Sequence, residues 1–188
     1  MHDTVLFSFG GSAELTAWLV TVVLVVAAWI DGARLKVPNW LTFPFVLTGM
    51  CYSAWLGGFD GFSASLLGTV VGFLLLLPLL AVGGMGTGDV KLLMGIGAWL
   101  HTSATWNSFC LTALIGGVLA LILVAFQGGW LRHGGLFVQI LREFFTVRNP
   151  DRLSERAAER KPSMLLLPYG IPMAMGTITY LWWIGDLV

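Results

Sequence analysis

Charge is what this sequence has least of. Only 11% of its 188 residues are Asp, Glu, Lys or Arg, against about 25% in an ordinary soluble domain. With 57% hydrophobic residues and a mean hydropathy of +0.85, the chain has too much apolar surface to bury in a water-exposed globule. That excludes a soluble enzyme and points to an integral membrane protein. Cysteine is nearly absent as well. Cys51 and Cys110 lie singly in apolar runs, with no CxxC pair and no metal-ligand spacing, so both read as small buried hydrophobes. No lysine or arginine precedes Arg34, which excludes a cleaved signal peptide, because that needs basic residues ahead of its apolar core. Nothing resembles a nucleic-acid surface. No polar linker divides the chain, so residues 1–188 are expected to form a single membrane-embedded domain.

What is there instead is a series of apolar segments at roughly 13–30, 40–57, 62–82, 89–101, 107–126 and 164–184. These predict an all-α polytopic membrane protein, a bundle of about six transmembrane helices. Several segments fall short of the roughly 20 residues needed to cross about 30 Å of hydrocarbon. The fourth is short and opens on an aspartate, so it is expected to begin inside the membrane boundary. The connections near 57–61 and 101–106, and both chain ends, contain no lysine or arginine. All ten basic residues fall on the opposite side: Arg34, Lys36, Lys91 and seven between 127 and 163. By the positive-inside rule that side is cytoplasmic and both termini face out. Trp29, Trp40 and Trp130 lie toward inner ends, and Trp18, Trp55, Trp99, Trp106, Trp182 and Trp183 toward outer ends, as in an interfacial belt. Within the cytoplasmic loop of about 127–163, "LFVQILREFFTVR" places Phe137, Ile140, Leu141, Phe144 and Phe145 at helical spacing. That predicts an amphipathic helix lying on the inner leaflet. The "DRLSERAAERK" that follows is polar nearly all round.

Ten acidic residues remain to be placed. Asp3, Glu14, Asp60 and Asp186 lie at outer ends, and Glu143, Asp151, Glu155 and Glu159 sit in the basic loop. Two are left over. Asp31 closes the first segment and Asp89 opens the fourth, both at inner ends and therefore at one level. A carboxylate at membrane depth costs about 2.5–3.5 kcal/mol on insertion scales, so it usually serves a purpose. Two carboxylates about 3 Å apart share a proton; the ionised one takes a proton from water while the protonated one donates to a carbonyl. That pair hydrolyses a peptide bond without a covalent intermediate. Gly83, Gly84, Gly86 and Gly88 would let backbone or substrate come close to Asp89. Arg34, three residues after Asp31, is expected to share its face. Either aspartate alone reads equally well as a helix cap or an interfacial anchor. Gly68 and Gly72, spaced as GxxxG, read as helix packing. His2, His101 and His133 are scattered without ligand spacing, so no metal site is expected. A proton- or ion-coupled transporter would also use buried acids, but no polar path continues across the other segments. A non-catalytic scaffold is the third class.

Three stretches carry a resemblance. "DGARLKVPNWLT" (31–42), "GMGTGDVKL" (84–92) and "LPYGIPMAMG" (167–176) resemble, in order, three signatures of the type IV prepilin peptidases, a family of GxGD membrane aspartic proteases. The resemblance implies that Asp31 and Asp89 are the catalytic pair. It also implies that Arg34, Pro38, Asn39, Gly86, Gly88, Lys91, Pro168, Gly170 and Pro172 support the site. No cofactor is implied. The implied partners are the lipid bilayer and a prepilin with a basic leader and a hydrophobic helix, cut on the cytoplasmic side of a bacterial inner membrane, after a glycine. Longer members carry paired CxxC motifs and also N-methylate their product. This chain is similar to the short, peptidase-only branch that serves tight-adherence (Flp-type) pili, which implies no methyltransferase activity. Archaeal preflagellin peptidases are a close neighbour. Tyr169 stands where phenylalanine is more usual.

Overall fold

The computed structural model describes residues 12–81, 85–127 and 168–187. The described residues form four helices and no strands: α1 (Ser12–Arg34), α2 (Asn39–Ala81), α3 (Thr87–Gln127) and α4 (Gly170–Ile184). Three of them are long and apolar enough to cross a membrane, over Ala13–Arg34, Asn39–Leu80 and Thr87–Leu123. The amphipathic helix expected between 127 and 163 lies outside the described residues.

An unbroken helix of 43 residues would run about 65 Å, twice the hydrocarbon thickness. α2 is not unbroken. Gly58 takes φ 57°, ψ −135°, a conformation open to glycine and little else, and the chain turns back there. A side chain on Gly61 would run into the carbonyl of Ser53, a contact that a continuous helix does not allow. α3 breaks likewise at His101, φ 61°, ψ −174°. The expected connections at 57–61 and 101–106 are thus compressed into single residues of unusual backbone.

Both limbs of α2 pack on the first limb of α3, and the registers show it. Phe45 and Gly49 meet Gly95 and Trp99, while Gly68 and Gly72 meet Gly97 and Leu93. The first limb therefore runs parallel to α3 and the second antiparallel. A side chain on Gly68 or Gly97 would strike the other's carbonyl, so the GxxxG spacing is a packing device, as expected. The break at His101 frees carbonyls of the preceding turn, and side chains satisfy one of them. Ser65 Oγ donates to Ala98 O at 2.7 Å and Ser53 Oγ to the same oxygen at 3.4 Å. In hydrocarbon, such internal pairing is what permits a break.

Between Val90 and Leu100, α3 is buried on nearly every side. That is why an apolar segment shorter than a full span suffices: it is the centre of the bundle and touches little lipid. α4 covers its second limb, with Asn107 Nδ2 donating to Tyr180 Oη at 3.4 Å. α1 packs chiefly on α4 through a stripe of Ala17, Val20, Leu24 and Ala27, and Asp31 continues that stripe.

Two expectations need correcting. Cys51 and Cys110 are exposed on the outside of the bundle, because the apolar medium around a membrane helix is lipid as often as protein. Trp99 is 7% exposed and belongs to the core, not to an interfacial belt. Its Nε1 donates to Phe45 O at 2.9 Å, and its ring lies 5.2 Å from that of Tyr52. Trp18, Trp29, Trp40, Trp55, Trp106, Trp182 and Trp183 are exposed, as a belt requires.

Candidate active site

Each of the two leftover aspartates is held by a backbone N–H at the start of a helix. Asp89 lies in the first turn of α3, and its Oδ2 reaches back to accept from Gly86 N at 3.2 Å. That is the carboxylate half of a capping box. Its Oδ1 is buried and takes no hydrogen bond from the protein. Such an atom costs about 1–3 kcal/mol unless a proton or a water occupies it. Asp31 comes from the other direction, near the end of α1. Its Oδ2 accepts from Gly170 N at 2.8 Å, so it sits on the N-terminus of α4, where the helix dipole favours an anion.

The helices bring these two side chains together. Asp31 is 3% and Asp89 7% exposed, and they lie close enough for the charge of Asp31 to act on Asp89. The phenol of Tyr169 is also within reach of the Asp89 charge. Its Oη lies 3.6 Å from where a Cβ on Gly116 would stand, an ordinary van der Waals distance that places the phenol against α3.

Other residues of the three signatures build the frame. A Cβ on Gly170 would lie 3.0 Å from both Cβ and Oδ2 of Asp31; glycine lets the α4 backbone come up against the carboxylate. Pro168 O caps the start of α4 by accepting from Ile171 N at 3.2 Å, and Pro172 needs no partner in that first turn because it has no N–H. Pro38 O does the same for α2, accepting from Leu41 N at 3.1 Å and Thr42 N at 3.3 Å. A Cβ on Gly88 would stand 2.7 Å from Val37 O, so the turn after α1 lies directly against the start of α3. Lys91 Nζ donates to Asn39 Oδ1 at 2.9 Å and rests 4.6 Å above the Phe43 ring. Gly83 and Gly84 lie outside the described residues.

Arg34 does not join them. It is exposed, and no ion pair ties it to Asp31 among the described residues. Arg34 is the last residue of α1, and the chain leaves the helix at Leu35, which has φ 52°. His101, read from the sequence as a scattered histidine without ligand spacing, places its ring Nε2 3.2 Å from Ser53 Oγ beside the break. No group of three His, Cys, Asp or Glu residues placed to hold a metal occurs among the described residues.

Taken together, this is a polytopic helical membrane protein with two buried carboxylates, one at the end of α1 against the start of α4 and one in the first turn of α3. Its sequence matches the type IV leader peptidase family over residues 18–126, and the chain belongs to that family. The prepilin leader peptidase/N-methyltransferase of Aeromonas hydrophila is 36% identical over 121 residues, covering 61% of this chain and 41% of that protein. The corresponding protein of Neisseria gonorrhoeae is 32% identical over 131 residues, 66% and 44% of the two chains. That of Bacillus subtilis is 33% identical over 113 residues, 58% and 45%. The chain therefore spans less than half the length of these curated relatives. No solved structure matches it significantly.

Proposed function

We propose that this protein is a membrane aspartic endopeptidase that removes the basic leader from a type IV prepilin, with Asp31 and Asp89 as its catalytic pair. One observation carries the reading: two buried carboxylates from distant parts of the sequence lie within electrostatic range of each other, and Asp89 Oδ1 has no protein partner. An acid pair with an acceptor that the protein itself does not engage is what a water-activating site requires. The ionised carboxylate takes a proton from the attacking water, and the protonated one donates to the scissile carbonyl oxygen. Gly170 N and Gly86 N serve the aspartates themselves.

In this reading the breaks at Gly58 and His101 divide α2 and α3 into two crossings each, six in all with α1 and α4. Arg34, Lys36 and Lys91 mark the cytoplasmic side, the termini face out, and cleavage takes place at the inner membrane boundary after a glycine. The substrate belongs to the tight-adherence (Flp-type) pilins.

The test is direct. Detergent-solubilised protein is incubated with a prepilin, and the product N-terminus is read by mass spectrometry. Leader loss is expected for the wild type and abolished, by about 10³-fold or more, in Asp31→Asn and Asp89→Asn. A transporter or scaffold leaves the prepilin uncut throughout, and that result would refute the peptidase reading.

A further inference from the structure

We propose that Lys91 is a positioning residue that sets the spacing of the two aspartates through Asn39. The inference rests on the acid-pair reading and adds a part to it. Asp89 and Lys91 are two residues apart on α3, so they project to different sides of the helix. The amine is not a charge partner of the acids: it is taken up by Asn39 Oδ1 at 2.9 Å and by the Phe43 ring. Both of those residues belong to the first limb of α2, which follows Asp31 after a turn of four residues, Leu35–Pro38.

That turn is tightly drawn. Leu35 N donates back to Asp31 O at 2.7 Å, while Leu35 itself holds φ 52°, a conformation that costs a non-glycine residue about 1–2 kcal/mol. Val37 O abuts Gly88, one residue before Asp89. A short strained turn springs back unless something holds its far end. The Lys91–Asn39 bond holds that end, and it does so from the helix that carries Asp89. One carboxylate is thereby referenced to the other through five named residues: Asp31, Leu35, Val37, Asn39 and Lys91. Lysine suits the task because its three donors and flexible stem reach an amide oxygen while the ammonium lies over an aromatic face.

The experiment compares Lys91→Met, Asn39→Ala, the double variant and Lys91→Arg in the purified full chain, with kcat and KM for prepilin cleavage measured beside thermal unfolding. Misplacement by a fraction of an ångström is expected to lower kcat about tenfold or more in Lys91→Met and in Asn39→Ala, with KM changed less than about threefold. The double variant should lose no more than the worse single one, since both break one link. Arginine keeps a donor and a cation over Phe43, so Lys91→Arg should recover kcat to within about threefold of wild type. A merely structural role would lower the unfolding temperature while leaving kcat per folded molecule intact, and would overturn the proposal. So would losses that multiply in the double variant, or an arginine variant as slow as the methionine one. Asp31→Asn and Asp89→Asn in the same assay separate the two ideas. If they are inactive while Lys91→Met keeps wild-type kcat, only the positioning role falls; a wild type that never cleaves refutes both.

Discussion

At the scale of single residues, the account turns on how a carboxylate survives at membrane depth. Asp31 and Asp89 each take one backbone N–H from a helix start, which offsets part of the cost of burial without using a cation. Gly170 is the residue most exposed to test. Gly170→Ala brings a methyl to 3.0 Å from the Asp31 carboxylate, and kcat for prepilin cleavage should fall about tenfold with little change in KM. Asp186, beyond the end of α4, offers a different check. Burial raises its pKa above the ordinary carboxylate value, so its charge opposes folding, and its contribution to stability is lost as pH rises through the folded value. Asp186→Asn should therefore raise the unfolding temperature at neutral pH, and the gain should vanish in acid, where the wild-type carboxyl is already neutral. The two aspartates were legible in the sequence because acids are so scarce that a census leaves only them without a setting. The fate of Arg34 was not. Three-residue spacing suggested a shared face with Asp31, but the left-handed Leu35 ends the helix at Arg34, and a turn at a leucine leaves no mark in composition.

At the scale of elements, two single-residue breaks do the work that loops do elsewhere. Gly58 and His101 occupy similar backbone regions, yet only one of them is glycine, and this separates their mutants. Gly58→Ala should destabilise by about 1–3 kcal/mol, measured by unfolding in detergent. His101→Gly should come within about 1 kcal/mol of wild type, because relief of similar strain offsets the loss of a hydrogen bond worth about 0.5–1.5 kcal/mol. The apolar runs on either side of each break were plain in the sequence. The breaks themselves were not, because 57–61 and 101–106 read as ordinary polar connections and nothing there announces a turn of one residue. Trp99 was placed in the belt for a related reason: position along a span says how deep a residue lies, but not which way it faces. Conversely, the spacing of Ala17, Val20, Leu24 and Ala27 carries Asp31 onto the packed face of α1, a pattern that could have been read in advance.

At the scale of the whole molecule, the bundle is arranged along α3, with both limbs of α2 packed on its first limb and α4, leading to α1, packed on its second. That arrangement gathers pieces from residues 31, 86–89 and 168–170 at one end, though they are widely separated in the chain. It also makes the topology testable. With Cys51 and Cys110 replaced, the single-cysteine variants Lys36→Cys and Phe59→Cys should label with membrane-impermeant maleimide from opposite sides, position 36 from the cytoplasm and position 59, which is exposed beside the Gly58 break, from outside. Labelling of both from the same side would contradict the six-crossing arrangement. The central claim, however, is that the two carboxylates act as one catalytic unit, and the most direct measurement is the residual cleavage rate of three variants side by side. If the pair shares one water, Asp31→Asn, Asp89→Asn and the double variant should be equally inactive, since removing either member already removes the unit. A single variant that keeps appreciable activity, or a double variant whose loss is the product of the two single losses, would show that the acids act independently.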